Sequence, residues 1–124
     1  MSEAFLEPPD ALEVRIMDLS GASGTDVAEV VRGFTSLSHA NEFARRYVRD
    51  SVERCRVPRA TPAEVTAAWF AFGEDAVVGG ASGATWSSSA DLPAFAAAPP
   101  PDREACNWRI LDPRRIEPED EDED

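Results

Sequence analysis

Residues 36–56 read SLSHANEFARRYVRDSVERCR and contain the clearest structural signal in the chain. At ~100° per residue, one half of the helical circumference is apolar. That half carries Leu37, Ala40, Phe43, Ala44, Tyr47, Val48, Val52 and Cys55. The other half holds oppositely charged residues four apart, such as Glu42 with Arg46 and Arg49 with Glu53, each pair worth ~0.3 kcal/mol. The pattern predicts a long amphipathic helix with one face on a core.

The residues before this stretch predict a β-hairpin. Leu12, Val14 and Ile16 alternate with Glu13, Arg15 and Met17, a period of two that is typical of a half-buried strand. Residues 20–26 have the composition of a turn. Residues 26–34 fit either a strand or a helical stripe, and their valines favour the strand because a β-branched side chain is stiff at χ1.

A second helix is expected after Thr61-Pro62-Ala63-Glu64, which has the residues of a capping box with proline in the first turn. Its expected apolar stripe consists of Val65, Ala68, Trp69 and Phe72, and Gly73 would end it. Further along, we predict short strands at 76–78 and 84–88, a short helix at 90–98, and a helical segment at 103–111. This last segment would place Ala105, Trp108 and Leu111 on the core.

Two stretches carry a resemblance to a known group of proteins. The first is Arg32-Gly33-Phe34-Thr35 leading into the helix with Arg45-Arg46, and the second is Phe72-Gly73-Glu74-Asp75-Ala76 after an aromatic-rich helix. Over residues 12–78 the chain resembles a small family of bacterial α+β proteins with no known activity. The resemblance implies the order hairpin, helix, helix and favours a strand at 26–34.

These elements predict a single α+β domain over residues 11–116. A β-hairpin and one or two short strands would pack on two main helices. Residues 1–10 would form an irregular lead-in. Residues 117–124 hold seven carboxylates and should form a disordered acidic tail, because like charges repel and nothing apolar is present to bury.

The charge balance excludes two classes of partner. The chain of 124 residues has a formal net charge of −12, with 24 Asp and Glu against 12 basic residues, all of them arginine. Nucleic-acid binding depends on cationic groups that replace condensed counterions, and anionic membranes repel an acidic protein. We therefore expect neither nucleic acid nor membrane as a partner, and instead an unidentified protein.

Four residues form the predicted partner surface. Arg45, Arg49 and Arg56 lie within about 40° of one another on the helical wheel, and arginine binds carboxylates bidentately. They could dock an acidic partner, bind the chain's own tail, or form a solvated face. Phe70 lies off the apolar stripe of its helix, where it would be an interface anchor unless it packs under the loop at 79–89.

The chemistry-bearing residues do not assemble into a catalytic, metal or cofactor site. His39, the only histidine, falls on the polar side of the long helix, and Cys55 falls on the opposite side. Only Cys106 with His39 would remain as a thiol–imidazole pair. The chain lacks the lysine of a phosphate-binding loop. The segments Gly-Ala-Ser-Gly at 21–24 and 80–83 lack the glycine spacing of a dinucleotide-binding turn.

These observations predict a non-enzymatic, cytosolic accessory or protein-interaction domain. The alternative is an acidic inhibitor of the immunity or antitoxin type, which would neutralise a basic partner, and a small enzyme is the third hypothesis. The cytoplasmic location rests on two cysteines too few for a disulfide framework and on the lack of a signal peptide. The longest apolar run, Ala67–Phe72, is also far short of the ~20 residues of a membrane span.

Overall fold

The computed structural model describes residues 12–20, 26–80 and 83–114. Over these residues it has the predicted α+β class. The elements, in chain order, are β1 (Glu13–Asp18), β2 (Asp26–Arg32), α1 (Leu37–Cys55), α2 (Pro62–Phe72), β3 (Glu74–Gly79) and α3 (Ser88–Ala97). The predicted lead-in at 1–10 and acidic tail at 117–124 lie outside the described residues.

The three strands form one antiparallel sheet in the order β2-β1-β3. Val14 of the central strand lies opposite Val31 on one side and Val78 on the other, and all three are buried. The ambiguous segment 26–34 is therefore a strand, as predicted. Successive side chains of a strand point to opposite faces of the sheet, so the buried apolar residues of the three strands share one face. That face packs on α1.

Helix α1 forms as predicted and supplies the largest share of the core. Its first turn is capped by the Ser36 hydroxyl, which accepts a hydrogen bond from the His39 amide at 3.1 Å. Its fully buried apolar residues are Ala40, Phe43, Ala44, Val48 and Val52.

Helix α2 begins and ends as predicted. Both hydrogen bonds of the capping box form, from the Glu64 amide to the Thr61 hydroxyl (3.1 Å) and from the Thr61 amide to the Glu64 carboxylate (2.8 Å). Trp69 is buried, but Phe72 is 76% exposed, so its predicted place in the core is wrong. The reason is positional: Phe72 is the last residue of the helix and extends past the end of the core.

The chain after β3 differs most from the predictions. No strand forms at 84–88, because the Ala84 carbonyl and the Trp86 amide pair with the Asn41 side chain of α1 instead of with the sheet. Helix α3 is close to the predicted span. The segment 103–111 forms two 3₁₀ turns, Arg103–Cys106 and Arg109–Leu111, rather than one helix. Trp108 and Leu111 pack against the core as predicted, whereas Ala105 is only half-buried and lies outside it.

Candidate functional site

The three arginines predicted as a docking column lie against α3 of the same chain. Arg49 is only 7% exposed, and its guanidinium carbon lies 4.5 Å from the centre of the Phe95 ring. Arg45 lies 5.4 Å from the same ring, and its Nε donates to Asp91 at 3.1 Å. Both cations therefore interact with the Phe95 ring, and Arg45 also pairs with a carboxylate.

Arg56 stabilises the C-terminal end of α3. It donates two hydrogen bonds of 2.8 Å to the Glu53 carboxylate, one to the Phe95 carbonyl at 2.7 Å and one to the Ala96 carbonyl at 3.3 Å. These carbonyls belong to the last turn of α3, where no further helical amide is available to them. A cation there also interacts favourably with the helix dipole.

Within the predicted arginine column, Arg49 is therefore buried and Arg56 is paired with Glu53, whereas the side chain of Arg45 is 41% exposed. The helical wheel places the arginines on one side correctly, but it does not show that α3, with Leu92, Phe95 and Ala96 buried, covers that side. Arg49 in particular is inaccessible to a partner. Its Nη1 has no hydrogen-bond partner within the described residues, and burial lowers the pKa of its guanidinium.

Phe70 is 56% exposed, and its ring centre lies 5.1 Å from that of Trp69. The structure adds exposed alanines on the same side of α2 at Ala63, Ala67 and Ala71, spaced four residues apart. We call these three alanines with Phe70 the outer face of α2. These alanines were not among the predicted surface residues, although the sequence carries a signal for them: residues 62–72 contain a single charge, Glu64.

His39 and Cys106 do not form a thiol–imidazole pair. The Thr35 amide donates to His39 Nδ1 at 3.1 Å, so the ring proton is on Nε2, which donates to the Leu111 carbonyl at 2.7 Å. The charges that act on Cys106 are those of Arg49, Asp50 and Glu53. These residues lie at least ten positions further along α1, or ~15 Å at 1.5 Å per residue.

A cavity of about 150 Å³ opens between α1, the end of α2 and the start of β3. Three aromatic side chains line it, from Tyr47, Phe72 and Trp108, and the Tyr47 and Trp108 ring centres are 4.8 Å apart. Its charged residues are Asp50, Arg54 and Glu74, and it is completed by Ser51, Cys55 and Gly73. This cavity could not be predicted from the sequence, because its residues come from three separate segments, 47–55, 72–74 and 108.

Hydrogen bonds fix the walls of this cavity. The Tyr47 hydroxyl donates to Glu74 Oε1 at 2.5 Å, and the Trp108 indole donates to Asp50 Oδ2 at 3.0 Å. The buried Ser51 hydroxyl accepts from the Trp69 indole (3.1 Å) and from the Glu74 amide (2.9 Å). Two of the three aromatic walls, Tyr47 and Trp108, are thus oriented by a polar partner rather than by packing alone.

Electrostatics in the cavity favour a neutral phenol beside two carboxylates. Burial, together with the Glu74 carboxylate, raises the pKa of Tyr47. Burial also raises the pKa of the Cys55 thiol. Arg54 lies at the mouth with its side chain 62% exposed, and its Nη2 is 3.0 Å from Asp50 Oδ2. With two carboxylates and one guanidinium, the lining has a net negative charge.

A larger, shallower groove runs past Cys106 between α1 and residues 99–109. Three of the four carboxylates on its walls pair with arginines of the chain: Asp50 with Arg54, Glu53 with Arg56, and Glu104 with Arg46. The fourth, Asp102, accepts a hydrogen bond from the Ala105 amide. Over residues 12–20, 26–80 and 83–114, no three His, Cys, Asp or Glu side chains are grouped so as to hold a metal ion. In the same ranges no helix is long and apolar enough to cross a membrane.

Comparisons with protein-family models, with curated proteins and with solved structures find no match for this chain. The resemblance over residues 12–78 therefore supports no family assignment.

Proposed function

We propose that this chain is a non-enzymatic cytoplasmic accessory protein that binds a protein partner through the outer face of α2. The observation that carries the proposal is the mismatch between the composition of α2 and its burial. Only Val65 and Trp69 of its eleven residues are buried, yet its opposite side is also apolar.

A surface helix ordinarily has charged residues opposite its buried stripe. On the outer face of α2 that place is taken by Ala63, Ala67, Phe70 and Ala71, and the one charged residue of the helix, Glu64, is held in the capping box. Alanines allow a second helix to approach closely. The half-exposed Phe70 offers roughly 100 Å² of apolar surface, worth ~2–3 kcal/mol when buried.

The charge of the chain indicates the kind of partner. Seven arginines of the described residues form ion pairs within the chain, and Arg49 is buried. These cations are therefore not displayed as an open basic surface, and the net charge of −12 supports a partner with an apolar helix or groove flanked by basic residues. The cytoplasmic location is part of the proposal and is supported by the free thiols Cys55 and Cys106.

The proposal is tested by crosslinked pull-down from the native cell with Phe70→Ser. We expect one partner to be lost, because the anchor side chain of the face is removed. Val57→Ser is the matched control, since Val57 is similarly exposed (60%). It precedes the first residue of α2, whereas Phe70 lies near the last. Equal recovery with both variants would contradict the proposal. A dimer that dissociates in Phe70→Ser would also contradict it, because the occupant would then be a second copy.

The internal pairing of the arginines also favours a second candidate, an acidic inhibitor that neutralises a basic partner. In that case the carboxylates, including the seven at 117–124, would carry the affinity. Deleting residues 117–124 and raising the salt concentration would each weaken binding strongly, whereas Phe70→Ser would have little effect. Binding that is insensitive to the deletion and to salt would exclude this candidate.

A further inference from the structure

We infer that the cavity between α1, the end of α2 and β3 binds an alkylammonium group, the cationic head of a methylated amine. The inference is independent of the outer face of α2, because it concerns a small ligand held by a different set of side chains. It starts from the combination of aromatic walls and carboxylates in one small cavity.

The aromatic walls suit an organic cation. Tyr47, Phe72 and Trp108 line the cavity, and rings around a cation attract it through the negative potential of their faces. Hydrogen bonds from Tyr47 to Glu74 and from Trp108 to Asp50 hold two of these rings in place before any ligand arrives. Preorganised walls reduce the entropy lost on binding.

The carboxylates supply the complementary charge. Glu74 accepts the Tyr47 hydrogen bond through Oε1, and Asp50 uses Oδ2 both to accept from the Trp108 indole and to pair with Arg54. Glu74 Oε2 and Asp50 Oδ1 therefore accept no hydrogen bond from the residues that the structure describes. Each carboxylate retains one oxygen for a ligand.

Size and coordination favour an organic cation over a metal ion. A cavity of about 150 Å³ accommodates benzene in other proteins, and a quaternary methylammonium group is of similar size. Calcium requires six or more oxygen ligands, whereas two carboxylates among three aromatic rings provide fewer. The guanidinium of Arg54 pairs with Asp50 at the mouth and competes with an incoming cation.

The test is an NMR titration of the full chain that follows the indole N–H signals of its three tryptophans. Choline and tetramethylammonium are the probes, and 3,3-dimethylbutan-1-ol is the uncharged isostere of choline. We expect the Trp108 indole signal to shift saturably with either cation, and at least about tenfold weaker binding of the alcohol. The Trp86 indole, which donates to Asp91 outside the cavity, is the internal reference.

Two variants separate a binding role from a structural one. Glu74→Gln keeps an acceptor for Tyr47 but removes the charge, so choline affinity should fall about fivefold to tenfold while binding of the alcohol is unchanged. Arg54→Gln removes the competing cation and should raise choline affinity severalfold, an effect that damage to the fold would not produce. Arg15→Gln, on the opposite side of the sheet from α1, is the charge-matched control.

A peptide with one trimethyl-lysine distinguishes the two sources of the head group. Tighter binding of this peptide than of choline indicates a partner's side chain, and tighter binding of choline indicates a free amine. The inference is overturned if the alcohol shifts the Trp108 signal as strongly as choline does. It is also overturned if neither cation produces a saturable shift.

Discussion

Arg49 is a buried cation whose stabilising contacts are mainly apolar. Its guanidinium lies over the Phe95 ring, and Nη1 has no hydrogen-bond partner within the described residues. Taking a guanidinium out of water is costly unless its donors are satisfied. Because this side chain of α1 is buried against Phe95 of α3, it contributes through its volume as well as through its charge.

We therefore predict that Arg49→Met leaves the free energy of unfolding unchanged or raises it by up to ~1 kcal/mol, because an apolar chain of similar shape replaces an incompletely paired cation. Arg49→Ala, which also removes the packing, should lower it by ~1–3 kcal/mol. Urea denaturation of the two variants measures both values. A loss of more than ~2 kcal/mol in Arg49→Met would show that the guanidinium has a strong partner.

Tyr47 makes stability sensitive to alkaline pH. The folded state raises its pKa above the ordinary value of 10.0, through burial and through the Glu74 carboxylate. Above pH 10 the unfolded chain therefore loses a proton that the folded chain retains, and the free energy of unfolding falls as pH rises. The contribution of the protonated Tyr47 hydroxyl to the free energy of unfolding is fully present below pH 10.

Tyr47→Phe should be less stable than the native chain at pH 7 but should lose less stability between pH 9 and pH 11. Thermal unfolding across that range, compared with Tyr47-containing protein, measures the slope. Cys55 and Cys106, whose pKa values are also raised by burial, stay in both proteins and provide the common background. Equal slopes would contradict the assignment of the alkaline sensitivity to Tyr47.

At the level of elements, one side chain takes the place of a β-strand. The Asn41 amide donates to the Ala84 carbonyl at 3.0 Å and accepts from the Trp86 amide at 2.9 Å. This is the pattern by which a neighbouring strand would satisfy an extended segment. These two hydrogen bonds hold the segment 84–87 against α1, and α3 begins at the next residue.

Asn41→Ala should leave α1 intact but accelerate hydrogen exchange of the Trp86 amide at least ~10-fold, because its acceptor is removed. Ser38→Ala, at an exposed position of the same helix, is the control. Exchange measured residue by residue distinguishes this local opening from global destabilisation, in which core amides of β1 would accelerate equally. Unchanged protection of Trp86 would contradict the account.

The elements that could be predicted from the sequence are those whose signals are local. Residues 37–55 form a helix because their apolar spacing selects one face, and residues 62–72 because Thr61 and Glu64 close a capping box. Residues 84–87 have the composition of a strand, but their partner is an asparagine more than 40 positions earlier. The cavity could not be predicted for the same reason, since its aromatic walls meet only in the folded chain.

On the scale of the whole molecule, residues 103–114 contact both α1 and the β1–β2 hairpin and so connect the two. Trp108 packs on Phe43 and Tyr47, and His39 donates to the Leu111 carbonyl. Arg114 pairs with Glu29 of β2. Pro113 packs close to Gly33, where a Cβ atom would lie only 3.1 Å from the Pro113 Cβ. The φ of +102° at Gly33 also favours glycine.

Truncation after Asp102 should lower the free energy of unfolding by at least ~3 kcal/mol, because it exposes the aromatic cluster around Phe43. Truncation after Arg114 retains every contact described above and serves as the control. Circular dichroism melts of both chains provide the measurement. Equal melting temperatures would show that this segment does not support the fold.

The net charge of −12 does not by itself predict a binding surface, because Arg49 of the predicted arginine column is buried against α3, whereas the apolar outer face of α2 is exposed. The central claim is that this face binds the partner. The most direct test replaces Ala67 with a photo-crosslinking amino acid and compares its adducts with those from the same replacement at Val77, on the exposed side of the sheet. We predict one adduct from position 67 that Phe70→Ser abolishes, and none from position 77. The same adducts from both positions, or none from position 67, would contradict the claim.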